Sequence, residues 1–517
     1  MVKKKVATVA VIHLGSEMVS MQIVEYTDLN KIKVLEQVKQ KVKLGEEAFK
    51  NGKISFTTTL AVCDILKGYH KLMDDYGVTN YVLQATTAVR EIQNQASFLD
   101  QIYVKTGLKI EVVDMPREIY IKNVSLQRTL SQYEANFSAQ GTLFVDISSG
   151  GLGITYMKNG IIRYQQNLHI GIIRIKEAFN RNEQASVNFA RALTEYIASN
   201  IGPVREELSK EKVKYFVLTG AESELILKLV NKHSNPKKLE KLAVEDFTDF
   251  YNKVKKLNAA QIMKLYNLDE NQAALVLPTS ILYQQLLNLA LAEEILVPPD
   301  AFIDGMKVLY IARETAPEFV ERLRDLRISL IHSIGERYHY DANHAKCVEK
   351  FALAIFDKLK KSQGLDYHAR LLLRAACLLH DIGKFVCLRS HAIYSYRLII
   401  SSDIFGFSYL DKSIIALVSI NQGDTEADKD KIAPIHIDKE IRPLVSKLSA
   451  ILRMADAMDR SYKQKIKSCK VQVSENEMVV TAKTKQDLSL EEWTFATKGN
   501  YFEEVFGLMP ILEKAEG

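Results

Sequence analysis

Apolar and polar residues along the first quarter of the chain follow patterns typical of strands and helices in turn. Two apolar, β-rich runs, residues 6–14 and 19–26, flank a Gly-Ser-Glu-Met break and predict a β-hairpin. The following pattern predicts, in order, a helix over 56–76, a strand over Tyr81–Ala85, a helix over 94–106 and a strand over 110–114. Because strands and helices alternate, this part of the chain is expected to form an α/β layer.

A second strand-turn-strand pattern begins at Thr142 and repeats the layout of the first hairpin. An apolar strand ends in the polar residue Asp146, a Gly/Ser turn follows over 148–151, and another strand comes after it. A further strand, Tyr215–Thr219, leads into a turn at Gly220. Two such halves around one cleft are what an actin-like (RNase H-like) phosphate-binding fold would have, although strand-glycine-strand patterns recur in many hairpins.

From about Asp304 the pattern changes to nearly continuous helix. Helices are predicted over 314–337, 341–360, 366–380, 391–401, 410–420 and 439–460. A short hairpin is predicted over 468–484, and the charged stretch 423–434 is predicted to be an exposed loop.

Composition restricts the class of protein without identifying its ligand. With 517 residues the chain exceeds one ordinary core, and its net charge of +6 permits an anionic ligand. There is no long Lys/Arg block, so no DNA partner is expected. Five scattered cysteines without a CxxC pair favour a reducing cytoplasm. Polar residues interrupt the apolar run 281–297, which predicts a core helix and no membrane partner.

Two turns and one arginine are the candidate phosphate-binding groups. Turns rich in Gly and Ser, at 15–17 and 148–151, expose backbone N–H groups of the kind that bind phosphate oxygens. Arg90 follows a strand and opens a helix, where its guanidinium could fork onto a phosphate. Taken singly, such a turn is more often a plain hairpin turn and such an arginine more often forms a surface ion pair.

Six segments carry, in order, the motifs of one known family. Residues 11–17 (VIHLGSE) resemble the motif VIDIGSNS at the start of the family's sequences, and residues 85–91 (ATTAVRE) resemble its TAAVRE motif. Residues 143–151 (LFVDISSGG) resemble the motif VVDIGGGS, and residues 168–175 (LHIGIIRI) resemble LPLGAVRL. Residues 218–221 (LTGA) resemble the GTGG turn, and residues 302–306 (FIDGM) resemble the motif LREGL. These are motifs of the exopolyphosphatase/guanosine-pentaphosphatase (Ppx/GppA) family, which the chain resembles over nearly its whole length.

The resemblance implies a set of roles. Such proteins hydrolyse terminal phosphoanhydride bonds in inorganic polyphosphate or guanosine pentaphosphate. Glu118 would be the candidate catalytic base, Arg90 would hold phosphate, and Asp146 would help bind Mg²⁺ or Mn²⁺. The resemblance also implies a homodimer. The turns that would cradle the phosphate chain contain Gly15, Ser16, Ser148, Ser149, Gly150, Gly151 and Gly220.

The sequence departs from the family at several acidic or glycine positions. The opening Asp is His13, the Glu of the GGGSTE segment falls at Gly153, and one of two acidic positions in the GxEEA segment is Arg117. Glu222 follows the retained Gly220 and would repel phosphate. Either the active site has been rebuilt, or the domain binds its ligand without turnover. With these residues lost we expect weak exopolyphosphatase activity, whereas robust activity that depends on Glu118 would indicate a rebuilt site.

The helical half carries four residues of metal-ligand type in a fixed order. His344 is followed by the pair His380 and Asp381 and then by Asp456, which matches the HD phosphohydrolase pattern. A buried His-Asp pair is more often a hydrogen-bonded core feature, but the full pattern favours a divalent metal. His391 is a candidate extra ligand.

The sequence thus predicts three domains. Residues 1–138 and 139–305 would form two actin-like lobes, and 306–517 a mainly α-helical HD-type domain with a short C-terminal hairpin. The predicted function is release of terminal phosphate from polyphosphate or a guanosine polyphosphate with Mg²⁺ or Mn²⁺. Two alternatives stay open at this point: a non-catalytic sensor of an anionic ligand, or an HD domain that is itself a metal-dependent phosphohydrolase with a second divalent metal.

Overall fold

The computed structural model divides into two compact units, Met1–Leu326 and Arg327–Gly517, which are described separately. It describes residues 6–133, 139–147, 151–168, 170–171, 175, 179, 181–184, 186, 188–209, 211–231, 233–235, 238–299, 301–422 and 439–515.

A five-stranded sheet forms the first half of the N-terminal unit. Its order is β3-β2-β1-β4-β5, and β1 pairs antiparallel with β2 and parallel with β4. The bounds are β1 Ala7–Leu14, β2 Met18–Asp28, β3 Lys31–Lys41, β4 Tyr81–Ala85 and β5 Glu111–Val112, with helices α1 Leu44–Asn51, α2 Phe56–Asp75, α3 Thr87–Arg90, α4 Gln95–Thr106 and α5 Met115–Tyr133. The predicted hairpin and the helices near 56–76 and 94–106 are confirmed, whereas the largely polar edge strand β3 was not predicted.

A six-stranded sheet repeats this arrangement. Its order is β10-β11-β9-β6-β7-β8, and β6 pairs antiparallel with β7 and parallel with β9, as β1 does with β2 and β4. The bounds are β6 Thr142–Ile147, β7 Leu152–Lys158, β8 Ile161–Leu168, β9 Tyr215–Thr219, β10 Glu240–Leu242 and β11 Glu294–Val297. The helices are α6 Arg181–Gln184, α7 Phe189–Asn200, α8 Gly202–Leu208, α9 Ala221–Val230, α10 Val244–Val254, α11 Ala259–Tyr266 and α12 Glu270–Ala290. The internal echo in the sequence therefore reflects a repeated sheet topology.

Helix α12 is the one helix in the described ranges that is long and apolar enough to span a membrane by composition, and 72% of its apolar window is buried. Its side chains join the apolar core of the second sheet, together with residues such as Phe247 and Val297. The core helix predicted over 281–297 is confirmed as far as Ala290, whereas residues 294–297 form strand β11.

Helices α5 and α13 (Ala301–Thr315) pack against each other within the N-terminal unit. Gly305 of α13 allows a close approach, since a Cβ there would lie 2.0 Å from the carbonyl oxygen of Ile121 in α5. Asp114 fixes the start of α5, because its carboxylate accepts the Arg117 N–H at 3.1 Å and its carbonyl accepts the Glu118 N–H at 2.9 Å. These contacts set the position of the helix that carries Glu118.

The C-terminal unit is mainly helical, as predicted. Its helices are α14 Pro317–Arg337, which begins in the first unit, α15 Ala342–Leu359, α16 Tyr367–Leu379, a 3₁₀ turn Ile382–Phe385, α17 His391–Ser401, α18 Tyr409–Ile420, α19 Arg442–Ala457 and α20 Ser489–Phe506. The predicted hairpin is β12 Ser468–Val473 and β13 Glu477–Lys483, but β14 Met509–Ala515 adds a third strand that was not predicted. The predicted loop 423–434 lies outside the described residues. The proposed boundaries after residues 138 and 305 remain predictions.

Candidate functional site

Charged side chains from three elements meet in the N-terminal unit and form what we call the cleft cluster: Arg90, Glu118, Lys122 and Asp146. Arg90 ends α3, Glu118 and Lys122 are one turn apart on α5, and Asp146 lies near the end of β6. The Lys122 Nζ is 3.0 Å from Glu118 Oε1, and 3.0 and 2.9 Å from the two Asp146 oxygens. The Arg90 Nη1 is 3.0 Å from Glu118 Oε2.

The cleft cluster is almost closed to water, and opposite charges shift the pKa values of Glu118 and Lys122. Glu118 and Asp146 are 6% and 7% exposed. Burial alone would raise the pKa of Glu118, but Lys122 and Arg90 outweigh it and lower that pKa to about 2. Burial likewise opposes the charge on Lys122, yet Asp146 and Glu118 raise its pKa above the usual value. The two neighbouring cations thus keep Glu118 a carboxylate at neutral pH.

Both terminal nitrogens of the Arg90 guanidinium are hydrogen-bonded to other groups of the protein. Its Nη1 also donates to the Val113 carbonyl at 2.7 Å, and its Nη2 donates to Thr87 Oγ1 at 3.0 Å. Its predicted role in holding phosphate stays a prediction, and any bound phosphate must share the guanidinium with Glu118.

The glycine turns differ in what they offer a ligand. The Gly15 N–H is taken by the Met18 carbonyl at 3.0 Å, and the Ser16 carbonyl accepts the Gly45 N–H at 2.7 Å, so this turn is tied into the hairpin and α1. Gly220 has φ +111°, and a Cβ there would be 2.2 Å from the Ile147 carbonyl oxygen, so a glycine is required at the start of α9.

The turn after β6 is described only at its last residue. Gly151 lies against the start of α5, since a Cβ there would meet Met115 Cε at 2.6 Å. Ser148, Ser149 and Gly150, which the sequence assigns to phosphate binding, lie outside the described residues. The structure therefore brings Glu118 and Asp146 together, links Arg90 to them, and leaves the role of this turn a prediction.

The two positions where the family's carboxylates are missing are filled in different ways. His13 has its Nε2 3.1 Å from Thr86 Oγ1 and its ring 4.5 Å from that of Phe302. At Gly153 a Cβ would lie 2.5 Å from Ile119 Cδ1. An apolar side chain from α5 thus takes the space into which a side chain at position 153 would extend.

Glu222 places another carboxyl group beside the cleft cluster. It is in the first turn of α9, and burial, with the charges of Asp146 and Glu17, raises its pKa to about 7. Near neutral pH the group is therefore partly protonated, and its predicted repulsion of phosphate is weaker than that of a full carboxylate.

Sequence reasoning missed Lys122 and Thr219. Thr219 ends β9 and donates its hydroxyl to Asp146 Oδ1 at 2.6 Å, so Asp146 accepts from two protein groups. The signal for Lys122 was its spacing, because a residue four positions after Glu118 on a helix lies on the same face.

A second group of side chains, the C-terminal cluster, consists of His344, His380, Asp381 and Asp456. His344 lies in the first turn of α15, His380 and Asp381 follow α16, and Asp456 lies in the last turn of α19. The Nε2 atoms of His344 and His380 are 3.3 and 3.6 Å from Asp456 Oδ1, and 3.8 and 3.5 Å from Asp381 Oδ2. All four predicted residues therefore converge.

The imidazoles of the C-terminal cluster are oriented as metal ligands are. His344 Nδ1 is 2.9 Å from Asp459 Oδ2, and His380 Nδ1 is 2.8 Å from the Cys377 carbonyl oxygen. These contacts place a proton on each Nδ1 and direct each Nε2 inward, where it has no hydrogen-bond partner among the described residues. Ligands on one ion with bonds near 2.1 Å are about 3.0–3.4 Å apart, so the spacing fits a divalent metal.

The remaining contacts of the cluster balance its carboxylates. Lys498 Nζ is 2.9 Å from Asp456 Oδ2, which leaves Oδ1 toward the imidazoles. Lys384 and the Tyr462 hydroxyl approach Asp381 Oδ2 at 2.6 and 2.7 Å, and the predicted extra ligand His391 is 3.4 Å from Oδ1. Burial would lower the pKa of His344, but Asp456 and Asp459 raise it to about 9, which shows how anionic the site is.

Comparisons with known sequences identify relatives of this chain. The bifunctional 3-dehydroquinate synthase/phosphatase of Fusobacterium nucleatum is 29% identical over 145 residues, which are 28% of this chain and 21% of that protein. The guanosine-5'-triphosphate,3'-diphosphate pyrophosphatase of Photobacterium profundum is 23% identical over 420 residues, which are 79% of this chain and 78% of that protein. The chain thus spans about a fifth of the first relative and most of the second.

Solved structures support the fold. An exopolyphosphatase from Cytophaga hutchinsonii matches with a TM-score of 0.51 and 17% identity, over 59% of this chain and 98% of the other. The Ppx/GppA enzyme of Aquifex aeolicus matches with a TM-score of 0.51 and 19% identity, over 59% of this chain and 100% of the other. At such low identity these likenesses establish shared architecture alone.

Two family models cover most of the chain. The model of the Ppx/GppA phosphatase family matches residues 22–305, which include the cleft cluster, and a model of Ppx/GppA phosphatase domain III matches residues 326–498, which include the C-terminal cluster. The chain therefore belongs to the Ppx/GppA phosphatase family.

Proposed function

We propose that this chain is a phosphohydrolase that releases the terminal phosphate of inorganic polyphosphate or of guanosine pentaphosphate. The observation that carries the proposal is the buried Glu118 carboxylate, which is held ionised between Arg90 and Lys122 next to Asp146. Membership of the phosphatase family supports the reaction class, and the guanosine-nucleotide and polyphosphate substrates are those named for two similar proteins.

In this proposal Glu118 orients and activates the attacking water. With a pKa near 2 it is a weak base while both cations pair with it. An incoming phosphate chain competes for Arg90 and Lys122, and each cation drawn toward phosphate raises the pKa of Glu118 toward its usual value. Substrate binding would therefore increase the basicity of Glu118, and the same two cations would neutralise charge on the transferred phosphoryl group.

The metal of the N-terminal unit needs separate treatment. The family resemblance implies Mg²⁺ or Mn²⁺ at Asp146, but Lys122 lies against both oxygens of that carboxylate and Thr219 donates to one of them. These residues do not fit a further cation between Glu118 and Asp146, so the proposed reaction includes no step through one. The homodimer and the cytoplasmic location stay predictions from the family resemblance and the composition.

Phosphate release from polyphosphate and from guanosine pentaphosphate tests the proposal. Glu118→Gln keeps the size of the side chain and removes its charge, and kcat is expected to fall by about a hundredfold or more. Glu46→Gln, at an exposed position on α1, serves as the control and should leave kcat unchanged. Binding of polyphosphate without release in the wild type would overturn the proposal and support the sensor alternative.

The C-terminal cluster favours a second candidate function, that of an HD-type metal site. The two inward Nε2 atoms, which have no hydrogen-bond partner in the part of the chain that the structure describes, would hold a divalent ion together with Asp381 and Asp456. Such an ion lowers the pKa of a bound water and polarises phosphate oxygens. Phosphate release that survives Glu118→Gln but is lost in His380→Ala would assign the hydrolysis to this site instead.

A further inference from the structure

The Lys122 ammonium group lies between the carboxylates of Glu118 and Asp146. Its Nζ lies within 3.0 Å of Glu118 Oε1 and of both Asp146 oxygens, and its side chain is only 14% exposed. Two carboxylates at such spacing normally bind a hard divalent cation or share a proton. Here an ammonium group that belongs to the chain is in that position.

The charges of the cleft cluster balance without any added ion. Two carboxylates, Glu118 and Asp146, face two permanent cations, Arg90 and Lys122, which gives −2 + 2 = 0. A divalent ion added to this set would bring two uncompensated positive charges into a nearly closed site. The charges of these four residues are therefore already balanced, and the neighbouring Glu222 adds a carboxyl group that is only partly ionised near neutral pH.

Two positions beside the cleft cluster, 13 and 153, also lack the acidic residues that the family motifs have there. Position 13 is a histidine held against Thr86 and Phe302, and it offers no hard oxygen ligand. Position 153 is a glycine, and Ile119 fills the space beside it. Two oxygen donors are thus missing from the cleft at the same time as the chain supplies Lys122.

We propose that the Lys122 ammonium takes the place of a divalent cation in this cleft, and that the cleft binds phosphate groups through the fixed charges of Lys122 and Arg90. The inference deepens the proposed function, because it names the group that replaces the metal at the same site. It also identifies the ligand class as a short run of phosphate groups that need not carry a metal ion into the site.

Mn²⁺ stoichiometry of the full chain tests the first half of the proposal. Whatever the C-terminal cluster binds, Asp146→Asn should leave the number of bound Mn²⁺ ions unchanged, because Asp146 holds Lys122 and not a metal. Lys122→Ala frees the two carboxylates and should raise the number by one. Adding Asp146→Asn to Lys122→Ala should remove that gain. Loss of one Mn²⁺ on Asp146→Asn alone, or no gain in a folded Lys122→Ala protein, overturns the proposal.

Binding of inorganic tripolyphosphate, measured by calorimetry on the unmodified chain, tests the second half without any variant. Affinity is expected to be the same in chelator as in Mn²⁺ to within about twofold, whereas weakening by about tenfold or more on chelation overturns the proposal. Neither measurement depends on turnover. If hydrolysis were absent the proposed function would fail, while the assignment of Lys122 would still be decided by metal and tripolyphosphate binding.

Discussion

Glu118, Lys122 and Asp146 depend on one another because each is a buried charge. Removing one member of a buried, hydrogen-bonded charge pair costs about 3–5 kcal/mol, since the remaining charge loses its partner. Lys122 touches two carboxylates, so its loss leaves two buried charges uncompensated rather than one. Mn²⁺ would restore part of the lost stability in Lys122→Ala if the freed carboxylates bind it, and the thermal midpoint of that variant would report this.

Glu222 makes stability depend on pH near neutrality. Its pKa is about 7 in the folded protein against an ordinary value of 4.5, so the folded state keeps a proton that the unfolded state has lost between these pH values. Stability therefore falls as pH rises from 4.5 through 7. Glu222→Gln cannot ionise, so relative to the wild type it should gain about 2–3 kcal/mol between pH 4.5 and pH 8.

Urea unfolding at pH 4.5 and pH 8 measures this difference. Glu224→Gln is the matched control, because Glu224 is exposed on the same helix and pairs only with Lys228 among the contacts described. Its stability difference from the wild type should not change with pH. Parallel pH profiles of wild type and Glu222→Gln would show that Glu222 titrates at its ordinary pKa.

Ile119 and Gly153 form a size-matched pair. A side chain at position 153 would meet Ile119, so Gly153→Glu alone should be strongly destabilising, and Ile119→Ala alone should cost about 2–5 kcal/mol by opening a cavity. Together they should destabilise less than the sum, with a coupling of about 1 kcal/mol or more. A double-mutant cycle by chemical denaturation gives the coupling, and strictly additive effects would contradict the contact.

The contact between Ile119 and position 153 also affects whether restoring the family's acidic residues can raise phosphohydrolase activity. His13→Asp with Gly153→Glu restores the acidic residues expected from the family, but Ile119 occupies the space and Lys122 the charge position. Changing those two positions alone therefore restores neither the room nor the net charge that a metal would need.

Among the elements, α5 positions the catalytic candidate, and its contact with α13 is unusually close. A methyl group at Gly305 would overlap the Ile121 carbonyl oxygen, so Gly305→Ala must displace α5 and with it Glu118 and Lys122. We expect lower stability and a lower kcat, despite the better helix propensity of alanine.

Gly68→Ala is the control for Gly305→Ala. Gly68 is an exposed glycine within α2, and apart from its own helix backbone and chain neighbours no atom of the described residues lies within 4 Å of a Cβ built there. This substitution should stabilise the protein by about 0.5–1 kcal/mol and leave activity unchanged. Thermal unfolding and kcat of both variants decide the point, and equal effects of the two substitutions would contradict the role of the α5–α13 contact.

Elements with strong periodicity were predictable, and those fixed by packing were not. The strand Tyr81–Ala85 and the helix His391–Ser401 have the predicted bounds, because their apolar patterns end at clear breaks. Strand β3 carries mostly polar residues and pairs only along the edge of β2, so its pairing depends on tertiary context. Strand β14 pairs in parallel with β13 across α20, a long-range contact that local patterns do not encode.

The site residues were likewise predictable from the sequence where their types and order form a pattern, and not where only the fold brings them together. His344, His380, Asp381 and Asp456 could be found together because their residue types and order form a known pattern. Lys122 could not be assigned as the partner of Asp146 without the fold, since 24 positions separate the two residues along the chain. Lys498, which is 42 positions from Asp456, was missed for the same reason.

At the scale of the whole molecule, the charged clusters of the two units differ in what lies between their carboxylates. In the cleft cluster it is the Lys122 ammonium. In the C-terminal cluster Lys498 and Lys384 also pair with the carboxylates, but two imidazole Nε2 atoms lie between Asp381 and Asp456 and have no hydrogen-bond partner among the described residues. Two imidazole nitrogens and two carboxylates that converge at 3.3–3.8 Å have the residue types and spacing of ligands on one divalent ion. We therefore expect divalent metal to bind in the C-terminal unit and not in the cleft.

Hydrogen exchange with and without Mn²⁺ tests this distribution. The metal binds only the folded state, so at a concentration 100 times its Kd it should stabilise the site by about 2.7 kcal/mol. Amides in α15, α16 and α19, which carry the ligands, should exchange more slowly, while those of β6 and α5 should not change. His380→Ala should abolish the protection, and His233→Ala, at an exposed position in the N-terminal unit, should keep it. Protection of β6 by Mn²⁺ would instead place metal at Asp146, and its absence everywhere would leave the C-terminal cluster a network of buried His-Asp pairs that serves the structure.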